Sequence, residues 1–118
     1  MTQTDSAQVP GVYRRKIGDV IVTAISDGYI DAPFAAVQGI EESDADQILR
    51  ESFRPSPPRI NVNCYLIQAG GRTAVVDTGS GDTMGPTLGK LFPNLRACGV
   101  AEADVDTILL THMHPDHS

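Results

Sequence analysis

Apolar and polar positions along the chain fall into five patterned stretches. In "DVIVTAISDGYI" (19–30), Val20, Val22 and Ala24 keep one phase while Ile21 and Ile25 fall out of it. The β-branched content predicts a strand, and Asp27-Gly28 offers the turn of a hairpin. In "SDADQILRESF", Ala45, Ile48, Leu49 and Phe53 recur at helical spacing behind Ser43, a capping residue with Asp46 three positions on. A helix over 44–53 is predicted, halted by "RPSPPR". "INVNCYLIQ" alternates at Ile60, Val62, Cys64 and Leu66 and meets "TAVVD" across "AGGR", whose paired glycines suit a tight hairpin turn. "GPTLGKLFPNLRACG" sets Leu88, Leu91, Phe92 and Leu95 on one helical stripe that Pro93 disturbs and Gly99 ends, giving one helix or two short ones. "VDTILLTH" is a short continuous apolar run, the pattern of a strand buried on both faces. Residues 1–11 are polar and unpatterned, as in a loose terminus, and 12–118 contain no repeat or internal linker, so they read as one unit.

Composition narrows the partners. A chain of 118 residues with 41% hydrophobic and 20% charged positions is of ordinary globular type. A net charge of -6 and a pI near 4.8 argue against a nucleic-acid partner, whose phosphates are held by clustered Lys and Arg. The one basic run, Arg14-Arg15-Lys16, reads as solvated surface. Cys64 and Cys98 stand far apart without a C-x-x-C spacing, which favours reduced thiols and leans cytoplasmic. No apolar run has the length of a signal peptide or of a membrane span, so no membrane partner is expected.

The chemistry gathers at "THMHPDHS". All three histidines, His112, His114 and His117, fall within residues 112–117, with Asp116 among them. On an extended strand end, residues two apart share a side, so His112 and His114 can reach one cation. Pro115 holds His114 extended and turns the chain, so Asp116 and His117 project differently, and two pairs in two directions suggest two neighbouring metals. Imidazole and carboxylate suit zinc, and manganese, iron or cobalt as well. A second candidate stretch, "AVVDTGSGDT", is how a small aspartic protease presents its carboxylate, but the apolar-apolar-Gly segment such proteases need later in the chain is missing. A serine hydrolase lacks its G-x-S-x-G elbow.

The order H-x-H-x-D-H after an apolar strand, here "LLTHMHPDH", resembles the metal-binding signature of metallo-β-lactamase-fold hydrolases. "VVDTG", about 35 residues upstream, is similar to that superfamily's other early landmark. "GDVIVTAISDG" and the stretch from "GPTLGKLF" to "THMHPDH" resemble the branch of methyl parathion hydrolase and related lactonases and esterases. The resemblance implies a mixed α/β (α+β) fold, the first half of a four-layer αββα sandwich. It implies that His112 and His114 bind a first divalent metal, that Asp116 and His117 bind a second, with zinc foremost, and that Asp77 supports the ligands from behind. It further implies attack by a metal-activated hydroxide on an ester, lactone, amide or phosphotriester of a small-molecule substrate, with Asp116 taking up a proton during turnover. A homodimer is compatible with the full-length form. The superfamily completes its site with a further histidine, a bridging aspartate and a last histidine, all downstream of this motif. The expectation is therefore a truncated, inactive N-terminal fragment with an uncovered sheet face. The alternatives are a non-catalytic metal-binding protein and, more remotely, the aspartic protease.

Overall fold

The computed structural model describes residues 8–118. The expected loose terminus falls mostly on residues 1–7, which lie outside the described residues. Five strands, β1 (Val12–Ile17), β2 (Val20–Asp31), β3 (Arg59–Ala69), β4 (Arg72–Val76) and β5 (Thr107–Leu109), form one sheet in chain order. The first four pair antiparallel, while β5 joins β4 in parallel. A parallel neighbour needs a crossover, and helix α2 (Leu91–Ala97) lies on that connection. Helix α1 (Glu42–Glu51) and single 3-10 turns at Phe34–Ala36 and Glu102–Asp104 complete the described elements.

Alternation along the strands decides where the core sits. Ile25 of β2, Cys64 and Leu66 of β3, and Val75 of β4 point to one face, where Leu91 and Leu95 of α2 and Val100 pack on them. Burying a leucine such as Leu95 contributes about 2 kcal/mol. The helix stops where its sequence says it should. Gly99 adopts φ +80 and donates to the Arg96 carbonyl, Val100 donates to that of Leu95, and Val100 turns back into the core.

Several local expectations are corrected. Asp27-Gly28 is not a turn: β2 runs through it with a bulge between Ser26 and Gly28. Gly28 sits at φ +122, and a Cβ there would lie 1.9 Å from the Thr87 carbonyl oxygen, so only glycine lets the 87–88 segment lie against the strand. The β2 hairpin is made instead with β1, which contains the exposed Arg14, Arg15 and Lys16. Ser43 lies inside α1, whose N-cap is Glu41 without a side-chain bond; Glu42 and Asp44 in the first turn favour the helix dipole. Pro93 does not divide α2, because it falls in the first turn, where its missing N–H costs nothing. Leu88 precedes that helix but is buried all the same.

The last strand differs most from expectation. Ile108, Leu109 and Leu110 are exposed rather than buried on both faces, because β5 is the sheet edge and nothing among the described residues covers it. Across the face opposite α2 the register aligns Tyr13, Ala24, Tyr65, Val76 and Leu109 in one row, with Tyr13, Tyr65 and Leu109 exposed. No described helix is long and apolar enough to cross a membrane.

Candidate metal centre

Parallel pairing of Val76 with Leu109 brings the C-terminal ends of β4 and β5 side by side, the usual place for a site in such a sheet. Asp77 leaves β4 at φ +63 and donates its N–H to the Leu109 carbonyl at 2.8 Å. A positive φ is uncommon outside glycine, and aspartate is among the side chains that tolerate it. The conformation turns the carboxylate toward the segment after β5.

Asp77 as a whole is 3% exposed, and its carboxylate is fully engaged. Its oxygens accept the Thr111 N–H at 2.8 Å, lie 3.0 and 2.8 Å from Thr111 Oγ1, and lie 2.8 Å from His117 Nδ1. Burial pushes its pKa up, but the Thr111 amide, the His117 ring and the Thr111 hydroxyl together outweigh it, and the carboxyl is held below its ordinary value.

The histidine segment folds back on the same strand end. His117 donates its N–H to the His114 carbonyl at 2.9 Å, closing a turn around Pro115 and Asp116, and Thr78 donates to the His117 carbonyl at 3.0 Å. His112, Asp116 and His117 are thereby brought together, each offering a ligand atom within 4.8 Å of the others, the group of this kind among the described residues. His117 Nε2 lies 3.2 Å from an Asp116 oxygen, and the His112 ring centroid is 4.3 Å from that of His117. His114 stands outside the triplet, its exposed ring edge-on to His112 at 4.7 Å. The described residues thus form a triplet with His114 alongside His112.

This donor set fits a divalent transition metal. Two imidazoles and one carboxylate converge without a ring of carbonyl oxygens, the borderline-soft chemistry of zinc and its neighbours. His117 meets a further requirement: with Nδ1 turned to Asp77, its Nε2 is left for a cation, the usual carboxylate–histidine–metal arrangement. An apolar hollow of about 120 Å³ among Val75, Leu91, Phe92, Leu95, Val105 and Ile108 touches none of the histidines.

Two participants escape the sequence patterns. Thr111 bridges Asp77 and His112, with Oγ1 2.8 Å from His112 Nδ1; its place just before the first histidine was the available signal. Asp27, fully buried, accepts the N–H groups of Ser80 at 3.0 Å, Gly89 at 3.3 Å and Leu91 at 3.0 Å, and so fastens the 79–91 segment to β2. A Cβ on Gly79 would lie 2.4 Å from that carboxyl carbon. Asp27 shares the inward phase of Thr23 and Ile25, and a charge on that phase was the overlooked signal.

A strand-end carboxylate behind a histidine-rich turn, on a sheet of this topology, defines a class. The chain belongs to the metallo-β-lactamase superfamily, whose sequence model matches residues 57–118. Among solved structures it is similar to the hydrolase AbOPH of the beta lactamase superfamily, at 34% identity and a TM-score of 0.84, over 94% of this chain and 39% of that one. It is also similar to AidC, a dizinc quorum-quenching lactonase solved with a product, N-hexnoyl-L-homoserine, at 27% identity and a TM-score of 0.80, over 91% and 37% of the two chains. A probable metal-dependent hydrolase from Staphylococcus aureus, 22% identical with a TM-score of 0.64 over 87% and 41%, shares the fold. No curated protein matches the chain. The chain therefore spans about two fifths of the solved structures it matches. Its mixed α/β sheet is the corresponding part of their fold. The protease reading of "VVDTGS" falls with the family and with the Asp77 carboxylate, which is buried and occupied by Thr111 and His117.

Proposed function

We propose that this chain carries the first part of a metal-dependent hydrolase that cleaves lactones, esters or phosphotriesters of small molecules. The observation that carries the reading is the His112–Asp116–His117 triplet with Asp77 behind it. The similarity to a dizinc lactonase favours zinc and a two-ion site. In that reading His112 and His114 hold one ion, and Asp116 and His117 hold the other. Divalent ions there supply Lewis acidity and lower the pKa of water. The chain's own residues do the rest. Asp77 keeps the His117 ring aimed, the Pro115 turn keeps Asp116 beside it, and Asp116 is the proton acceptor during turnover.

The same proposal makes residues 12–118 one half of the catalytic domain, needing further protein over the exposed sheet face and β5 for turnover, and working in the cytoplasm, as a homodimer when full length. Support comes from the share of the solved relatives that is spanned and from the uncovered row Tyr13–Tyr65–Leu109. The test is metal content with a panel of lactone, ester and phosphotriester substrates. Zinc-dependent cleavage of one class, removed by a chelator and by His114→Ala, is expected. Bound zinc with no cleavage of any substrate by the intact protein would make it a silent binder.

A further inference from the structure

We propose that Thr111 is a positioning residue whose hydroxyl links Asp77 to His112 and holds that imidazole with Nδ1 protonated and Nε2 free for a cation. The inference deepens the metal-dependent reading and rests on it for the ion.

A threonine hydroxyl has one proton and two acceptor lone pairs. Thr111 Oγ1 lies 2.8 and 3.0 Å from the two Asp77 oxygens and 2.8 Å from His112 Nδ1. An ionised carboxylate only accepts, so the hydroxyl proton goes to Asp77. The Oγ1 lone pairs then face His112, and only a protonated Nδ1 satisfies them. The reverse direction would set an oxygen lone pair against a carboxylate at less than 3 Å of separation. The resulting order is His112 Nδ1–H to Thr111 Oγ1–H to Asp77.

His117 Nδ1 reaches the same carboxylate directly at 2.8 Å. One buried anion therefore orients two imidazoles, one by contact and one through a hydroxyl. The exposed His112 needs the link more, since an unconstrained imidazole in water favours the opposite tautomer, with Nε2 protonated. The Thr111 amide, which also binds Asp77, fixes the backbone and leaves the hydroxyl free for this task.

The experiment is long-range proton–nitrogen NMR on the intact, metal-free, labelled protein at a pH where imidazoles are neutral, followed by zinc titration. In the unaltered protein His112 should be protonated at Nδ1. Thr111→Val keeps the shape and the amide bond; it should move His112 toward the Nε2-protonated form, leave His117 unchanged and weaken zinc binding about tenfold. Thr111→Ser should restore both readings. An unchanged His112 tautomer in Thr111→Val, or a serine variant as impaired as the valine one, would overturn the proposal. If the unaltered protein bound no zinc, the metal reading would fail, while the tautomers would still decide the role of Thr111.

Discussion

Asp27 and Asp77 are two buried carboxylates on one sheet, yet they serve different ends. Asp27 spends its oxygens on the backbone N–H groups of Ser80, Gly89 and Leu91 and on the Ser80 hydroxyl, all within the 79–91 segment and none leading to the histidines. Asp77 spends its oxygens on Thr111 and His117, whose side chains continue toward the histidine cluster. Burial and hydrogen bonding are common to both. What separates a carboxylate that shapes a loop from one that shapes a site is what its partners hold with their far side.

The contrast can be broken experimentally. Asp27→Ala would strand two buried N–H groups and a part-buried one and should cost about 3 kcal/mol in chemical denaturation. A loss well under 1 kcal/mol would show that the loop does not depend on that carboxylate. Asp77→Asn should act mainly on the site, weakening zinc about 10- to 100-fold with a smaller effect on unfolding, because only its link to the ligands changes character. If the two variants moved both readouts equally, the distinction would vanish.

Cys64 sharpens the picture of the region between them. Burial first, and then the Asp27 and Asp77 carboxylates, push its thiol from 9.0 up to about 12. The folded protein therefore keeps a proton that the unfolded chain releases, and stability should be fully present below about pH 9 and fall as pH rises toward 12. A Cys64→Ala variant should lose that alkaline slope in pH-dependent melting. The smallest effect is expected at Thr23, whose buried hydroxyl has no partner among the described residues. Thr23→Val should raise stability by about 1 kcal/mol in the same denaturation assay.

Much of this could be read along the chain, for physical reasons that also explain the failures. The β3–β4 hairpin was legible because alternation and Gly70-Gly71, both at positive φ, agree. The cluster was legible because three histidines and an aspartate fall within residues 112–117, and ligand types need no long-range information. Asp27 was not, since Asp-Gly is turn chemistry locally and only packing of the 79–91 segment makes it a strand bulge. The strand β1 hid behind charge, its Arg14-Arg15-Lys16 run masking the alternation. The apolar run at 108–110 has a burial pattern set by whatever covers an edge strand, which local sequence does not encode. The place of Thr111 before His112 could be read, but its bond to Asp77 depends on the parallel pairing of β4 and β5.

The proposed metal site comprises His112, His114, Asp116 and His117, with Asp77 aiming the His117 ring. Calorimetric zinc titration of the chelator-treated intact protein, beside its His112→Ala/His117→Ala variant, which removes one ligand from each ion, tests it most directly. Saturable zinc binding is expected in the unaltered protein, and its loss in the variant. Equal binding by both, or none by either, would contradict the proposed site.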